Sequence, residues 1–397
     1  MSRKIKLLYF MDGYGDGGGI QEMVVRWIEN IDRSVFDVDV LAYNHTSMNP
    51  GRYRERLAAL GCHLFLVDSP ERHLEAGQQV ESRVDPERAG ILASACQTMG
   101  FFRKHPYDVL HCNASAKGVI VLACARAAGV KVRILHSHCA KVVTGNPVKR
   151  VAAEALKMPA VSFATHLAAC STEAGEFLFG AKAVRAGRVE TFQNAIELGL
   201  YGFDPEARED ARRELGVGPG TKVYADVARF QPPKNQQLLI RSFAEVLRRE
   251  PDSLLVLVGD GDERPDCERL ASELEIEANV RFLGLRGDVA RLDQGFDVFV
   301  MTSLFEGLPV VAVEAQAAGL PCVLSDGITP EACVLSESRV VPIDASTTVW
   351  ADALVSTHPS DQRADGIRAM AEAGFEIREA TRKLERFYLE ALGAGSR

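Results

Sequence analysis

The chain reads as an α/β protein built from two doubly wound parallel sheets. Three observations predict this: short apolar runs alternate with longer amphipathic segments, the runs have the character of buried strands, and the scheme occurs twice. Buried strands joined by crossover helices make parallel sheets covered on both faces. The 397 residues suffice for two domains that each bury a core.

In the first half the strand-like runs are KIKLLYF, FDVDVLAY, CHLFLV, YDVLHC, KVRILHS and THLAAC, with helical stretches between them over residues 20–31 and 86–104. In the second half they are TKVYADVARF, SLLVLVGD, NVRFLG, FDVFVMTS, PCVLSD and RVVPI. The junction is expected in RVETFQNAIELGL, which divides the chain into residues 1–190, 191–373 and 374–397. The last part, GFEIREATRKLERFYLEALG, is a helix long enough to cross back onto the first domain.

Hydrophobic residues are 47% and charged residues 25%, a globular composition. The formal net charge of -8 argues against broad nucleic-acid binding. No apolar stretch is long enough to span a bilayer, and the N-terminal apolar run reads as a strand rather than a leader. Nine scattered cysteines without a CxxC pair fit a reducing cytosol and core thiols, so neither disulfides nor structural zinc are expected.

In open parallel sheets ligands bind at the carboxyl ends of strands. After FDVFVMTS comes SLFEGLPVVAVEAQAAGLP, with seven residues between Glu306 and Glu314. Pro309 and Gly319 bound an apolar helix there. Backbone N–H groups around Gly307, Leu308, Pro309, Val310 and Val311 make a phosphate site at its start. Glu314, about a turn in, suits a ribose diol, and Glu306 another polyhydroxyl group. The alternative makes Glu306 a helix cap and Glu314 a solvated position. After TKVYADVARF, Arg229 and Lys234 place two cations where a diphosphate would be held and its developing charge stabilised, and Asn235 can cap the next helix. Asp226 stands in that otherwise apolar strand with no evident reason.

Other motifs speak less directly. Gly17, Gly18 and Gly19 follow the first strand and permit close backbone approach to a ligand, but not at the GxGxxG spacing of a dinucleotide site. His136 and His138 end another strand. They lack a third metal ligand by spacing, which favours a neutral histidine on a sugar hydroxyl, with His111 read as a core residue. GDGDE (259–263) and DVD (37–39) read as a turn and a strand rather than metal motifs.

Taken together these residues resemble the retaining glycosyltransferases of family 4, in the branch found in capsule and exopolysaccharide clusters. GGIQEMVV, HSHCAK, CSTEAGEFLFG, ARFQPPKN, FLGLRGDV and the two-glutamate segment carry the likeness over nearly the whole chain. The resemblance implies the GT-B fold, two Rossmann-like domains facing a central cleft. The first would be the acceptor side and the second would bind a nucleotide-sugar, with UDP favoured. It implies that Glu314 holds the ribose, Glu306 contacts the donor sugar, and Arg229 and Lys234 bind the diphosphate. It also implies that Leu283, Leu285 and Arg286 pass near the nucleobase, that His136 or His138 faces the transferred sugar, and that the Gly17–Gly19 loop approaches the donor phosphates. No metal or other cofactor is expected. The acceptor would be a glycan or lipid-linked sugar. The place would be the cytoplasm, with a peripheral position at the inner membrane face suggested by Lys141, Lys149, Arg150 and Lys157. Ala228 and Ala195 depart from the family's usual glycines. A GT-B nucleotide-sugar epimerase and a non-catalytic sugar-nucleotide-binding subunit are the competing readings.

Overall fold

The computed structural model describes residues 3–11, 19–42, 51–66, 91–139 and 147–394. They form two compact units: Met1–Gln193 together with Ile377–Arg397, and Asn194–Glu376.

The first unit carries β1 (Ile5–Met11), β2 (Phe36–Ala42), β3 (Leu64–Leu66), β4 (Val109–Cys112), β5 (Val132–Ser137), β6 (His166–Ala169) and β7 (Val189–Thr191). All are parallel, in the order β3-β2-β1-β4-β5-β6-β7. Central strands are apolar along their length because helices cover both faces, and Leu7 to Met11 have no exposed surface. β7 is a strand that periodicity did not single out. It has only three residues, half-buried at most, at the edge of the sheet in the stretch read as a junction.

The final helix, Ile377–Ala394, belongs to this unit. Ile377, Thr381, Leu384, Tyr388 and Ala391 are its buried face. Their spacing of four and three residues is that of a helix with one apolar stripe. Tyr388 reaches through to β1 and β4: its hydroxyl lies 3.1 Å from Tyr9 Oη and 2.6 Å from His111 Nδ1.

The second unit carries β8 (Val223–Val227), β9 (Leu254–Val258), β10 (Val280–Gly284), β11 (Val298–Met301), β12 (Cys322–Ser325) and β13 (Arg339–Val341). They are parallel in the order β10-β9-β8-β11-β12-β13. Strand order reverses between β8 and β11, which makes their carboxyl ends the switch point of this sheet. β8 stops at Val227, two residues before Arg229.

GDGDE packs against the chain that leaves β8. A Cβ on Gly259 would stand 2.0 Å from the Ala228 carbonyl oxygen, and one on Gly261 2.2 Å from that of Phe230. Both glycines hold positive φ. The glycines in this motif are therefore set by backbone packing. Asp39 of the DVD motif is spent on His63 and the Tyr107 hydroxyl. All nine cysteines are free thiols. Among the described residues no helix is long and apolar enough to cross a membrane.

Candidate active site

The loops after β8 and β11 meet at the switch point. Leu304 N–H donates to Pro233 O at 2.8 Å, and the Thr302 hydroxyl donates to Asn235 O at 2.9 Å. That contact brings the Lys234 ammonium onto the Glu306 carboxylate, both half-buried. Ser303 Oγ donates to the same carboxylate oxygen at 3.2 Å, and Glu306 N–H donates to Gly327 O at 2.9 Å. A Cβ on Gly327 would come 2.4 Å from Leu304 O, so this loop lies directly on the backbone after β12. Arg229, two residues past the end of β8, is exposed.

The helix Val310–Ala317 starts beside this pair, with Pro309 at its N-cap and no side-chain cap. Glu306 is therefore not its cap. The first N–H groups of any helix have no intrahelical acceptor. Gly307, Leu308, Val310 and Val311 can supply such donors, whereas Pro309 has no N–H and contributes only its fixed shape. Asn194 Nδ2 donates to Leu308 O at 2.7 Å and so anchors the turn. Ala195 is fully buried next to it.

Glu314 is buried, not solvated, at 7% exposure. Tyr201 Oη donates to its Oε1 at 2.7 Å. Tyr201 was not singled out from the sequence; 112 residues separate it from Glu314, and no local pattern links them.

Asn235 stands at the N-cap of the helix Gln236–Leu247, but its side chain makes no cap bond. Its backbone is left-handed, with φ 53°, and its carbonyl accepts from Leu238 N–H instead. Leu283 and Leu285 lie in and after β10, the second of them exposed. The Arg286 guanidinium is committed to Asp288 and Glu214, at 2.8 Å each. These ion pairs hold Asp288 well below the usual carboxylate range.

His136 and His138 lie in the first unit. His136 is fully buried at the end of β5, with His111 Nε2 2.8 Å from its Nδ1. The two rings of His136 and His138 stack at 4.1 Å. Asn113 Nδ2 points to His111 O at 3.4 Å, so its Oδ1 is the acceptor for His138 Nε2–H at 2.8 Å. His138 Nδ1 is then a lone-pair acceptor, buried and without a hydrogen-bond partner among the described residues. Burial lowers all three histidines, His138 to about 3, so they are neutral at physiological pH. His111 is a core residue linking β4 to Tyr388.

Gly17 and Gly18 lie outside the described residues. Gly19 opens the helix Gly19–Asn30, and among the described residues nothing lies within 4 Å of where its Cβ would be. Lys141 and the side chains of Lys149 and Arg150 are also outside the described residues. Lys157 is not a free surface cation. It donates to Phe177 O at 3.0 Å, sits 3.5 Å over the Phe177 ring and pairs with Glu154. Among the described residues, no three His, Cys, Asp or Glu side chains group in a way that could hold a metal ion.

Two parallel-sheet Rossmann-like units, the second with an acid–base pair and a helix start at its switch point, define a GT-B architecture. Residues 18–195 match the family described as "Glycosyl transferase 4-like domain", and residues 207–344 match "Glycosyl transferases group 1". The putative glycosyltransferase EpsF of Bacillus subtilis is 32% identical over 356 residues, 89% of this chain and 88% of that protein. The chain belongs to the GT-B glycosyltransferases. Escherichia coli UDP-Gal:alpha-D-GlcNAc-diphosphoundecaprenol alpha-1,3-galactosyltransferase is 26% identical over 272 residues, 64% of this chain and 70% of that one. Among solved structures, Anabaena HepE in complex with UDP superposes with a TM-score of 0.75 at 20% identity, over 97% of this chain and 100% of that one. Sucrose-phosphate synthase from Thermosynechococcus elongatus does so with 0.75 at 19%, over 98% and 100%. These two likenesses establish the fold.

Proposed function

We propose that this glycosyltransferase is a retaining, metal-independent enzyme of surface-polysaccharide synthesis. It would move a hexosyl-type sugar from a nucleotide-diphosphate sugar, UDP-linked by preference, to a glycan or lipid-linked acceptor. The observation that carries the reading is the meeting of the β8 and β11 loops, which sets Lys234 and Glu306 beside the start of the helix Val310–Ala317. A diphosphate there would meet backbone N–H groups and the Lys234 and Arg229 cations. Those groups would stabilise charge as it develops on the leaving phosphate, the task a metal performs elsewhere. Glu314, oriented by Tyr201, would take the ribose diol. Glu306 would contact the sugar and hold Lys234 in place. No carboxylate stands out as a covalent nucleophile, which favours same-face attack with the leaving phosphate taking the acceptor's proton. The neutral His138 acceptor suits a sugar hydroxyl. The E. coli relative, by its name, uses UDP-Gal and a diphosphoundecaprenol-linked sugar, and this supports the donor and the acceptor class. An acceptor of that kind would put the enzyme at the inner face of the membrane.

The test is a thermal-shift screen of UDP-, GDP-, ADP- and dTDP-sugars with and without EDTA, followed by product analysis with a polyprenyl-diphosphate-linked sugar. Stabilisation by one nucleotide series, insensitive to EDTA, and a product of unchanged anomeric configuration are expected. Epimerised donor in the absence of acceptor would overturn the transfer reading. Glu314→Ala should weaken donor binding by roughly 1.5–3 kcal/mol, the value of hydrogen bonds to a charged group, or about ten- to a hundredfold or more in Kd. Calorimetric titration checks it, and an unchanged Kd in a folded variant would remove Glu314 from the ribose.

A further inference from the structure

A line of hydrogen bonds crosses the first unit from its last helix to the end of β5. Tyr9 Oη lies 3.1 Å from Tyr388 Oη, Tyr388 Oη 2.6 Å from His111 Nδ1, and His111 Nε2 2.8 Å from His136 Nδ1. All four residues are fully buried. His138 stacks on His136, with 22° between the ring planes, and gives its Nε2–H to Asn113 Oδ1. Two nitrogens are left over, His136 Nε2 and His138 Nδ1, both buried and without a hydrogen-bond partner among the described residues. The paired nitrogen of each ring faces His111 or Asn113, in and just after β4, so the two unpaired ones leave the stack on the side away from β4. Ring centroids 4.1 Å apart set these nitrogens about 4–5 Å apart, the span that one hydroxyl oxygen bridges at about 2.8 Å from each.

The proton order in the line follows from counting. Burial keeps the rings neutral, so each ring and each hydroxyl carries one proton. Four protons serve three hydrogen bonds, and one donor is left over at one end. In the first order Tyr9 donates to Tyr388, Tyr388 to His111 Nδ1, and His111 Nε2–H to His136 Nδ1. His136 Nε2–H is then the single group without a partner. In the reverse order the Tyr9 hydroxyl proton is stranded in the core, and the His136 Nε2 lone pair is unpaired as well. That extra unpaired group disfavours the reverse order by about 5- to 100-fold.

We propose that Tyr388 is a positioning residue: by donating to His111 it holds His136 as the Nε2–H tautomer, so that the stacked His136 and His138 present one N–H and one lone pair to a single sugar hydroxyl. The inference rests on the reading above that these histidines meet a sugar. A hydroxyl fits because it accepts through its oxygen and donates through its proton at once. A carboxylate or phosphate oxygen would satisfy His136 but not His138, and an ammonium His138 but not His136. Water has the same double capacity as a hydroxyl, and the test separates the two. In Tyr388→Phe both proton orders leave three groups unpaired, so the preference disappears and His136 populates both tautomers. In Tyr9→Phe the Tyr388 hydroxyl still donates to His111, and the order stays.

The experiment is long-range 1H–15N correlation at pH 8 on the full chain carrying 15N-labelled histidine, which tells protonated from bare ring nitrogens. His111 and His136 are assigned through their ring contacts with Trp27, and His138 through His136. The expected result is the Nε2–H tautomer of His111 and His136 in the unaltered chain and in Tyr9→Phe. Tyr388→Phe should give a mixture of about equal parts, the ratio of two states with no bias between them. Saturating UDP-glucose or UDP-galactose should shift both His136 Nε2 and His138 Nδ1. His136 protonated on Nδ1 in the unaltered chain, or unmixed in a folded Tyr388→Phe, would overturn the role of Tyr388. Tautomers as expected but unmoved by either bound donor would assign the two nitrogens to water, overturning the sugar contact while leaving the proton order standing. If Tyr388→Phe does not fold, the spectrum of the unaltered chain decides between the two orders.

Discussion

Lys234→Ala is expected to lower kcat by about 10²- to 10³-fold, the usual loss when one group that stabilises developing charge is removed. The reasoning starts from the ion pair. Lys234 is held on Glu306 by two loops that meet at the switch point. On the proposed reading it would need no reorganisation as the sugar–phosphate bond lengthens, so its contribution would be larger in the transition state than in the ground state. Donor Kd should therefore weaken by less than kcat falls. Stability should change little, because the pair is only half-buried and its partner can turn to water. Steady-state kinetics with direct donor titration separates the two effects. A kcat within threefold of the parent enzyme would take Lys234 out of the leaving-group role.

Asp297→Ala is the substitution with the largest expected effect on folding. Asp297 precedes β11 and ties it to β8: its N–H donates to Val223 O at 2.8 Å and its Oδ2 accepts from Val223 N–H at 2.9 Å. The same carboxylate pairs with Arg208 at 2.6 Å and Arg212 at 3.1 Å. Arg212 is buried and also donates to Gly218, Thr221 and Gly295 carbonyls. Truncating Asp297 leaves a buried guanidinium without its counter-charge, which costs about 3–5 kcal/mol. Scanning calorimetry should show this loss in the transition of the second unit. A shift of less than about 1 kcal/mol would mean that solvent reaches Arg212 and that the pair counts only as a surface one.

Local pattern was enough for much of the site. Glu306, Pro309 and Glu314 fall on one strand–loop–helix passage, and Arg229 and Lys234 on another, so their relation to a strand end follows from short-range order. The runs that became β9, β11 and β12 were readable because unbroken apolar stretches of that length are suited to strands buried on both faces. The parts that were not readable join distant segments. β7 is too short and too polar to stand out, and it exists because β6 offers it an edge. Asn235 has the residue type of a cap, but the carbonyl contacts of its loop impose a left-handed backbone that turns the side chain away. Lys157 has the charge of a membrane contact and is instead drawn onto Phe177 and its carbonyl.

Fold class, strand succession and the charged residues at strand ends lie in the linear order, because helix and strand periods and switch-point chemistry are local properties. Pairing is not local. That β8 lies beside β11, so that Lys234 finds Glu306, depends on sheet order. That Tyr201 orients Glu314 and that Tyr388 reaches His111 depend on packing between segments far apart in sequence. A carboxyl group has an ordinary pKa in a sequence; only burial in the folded interior raises that of Asp226.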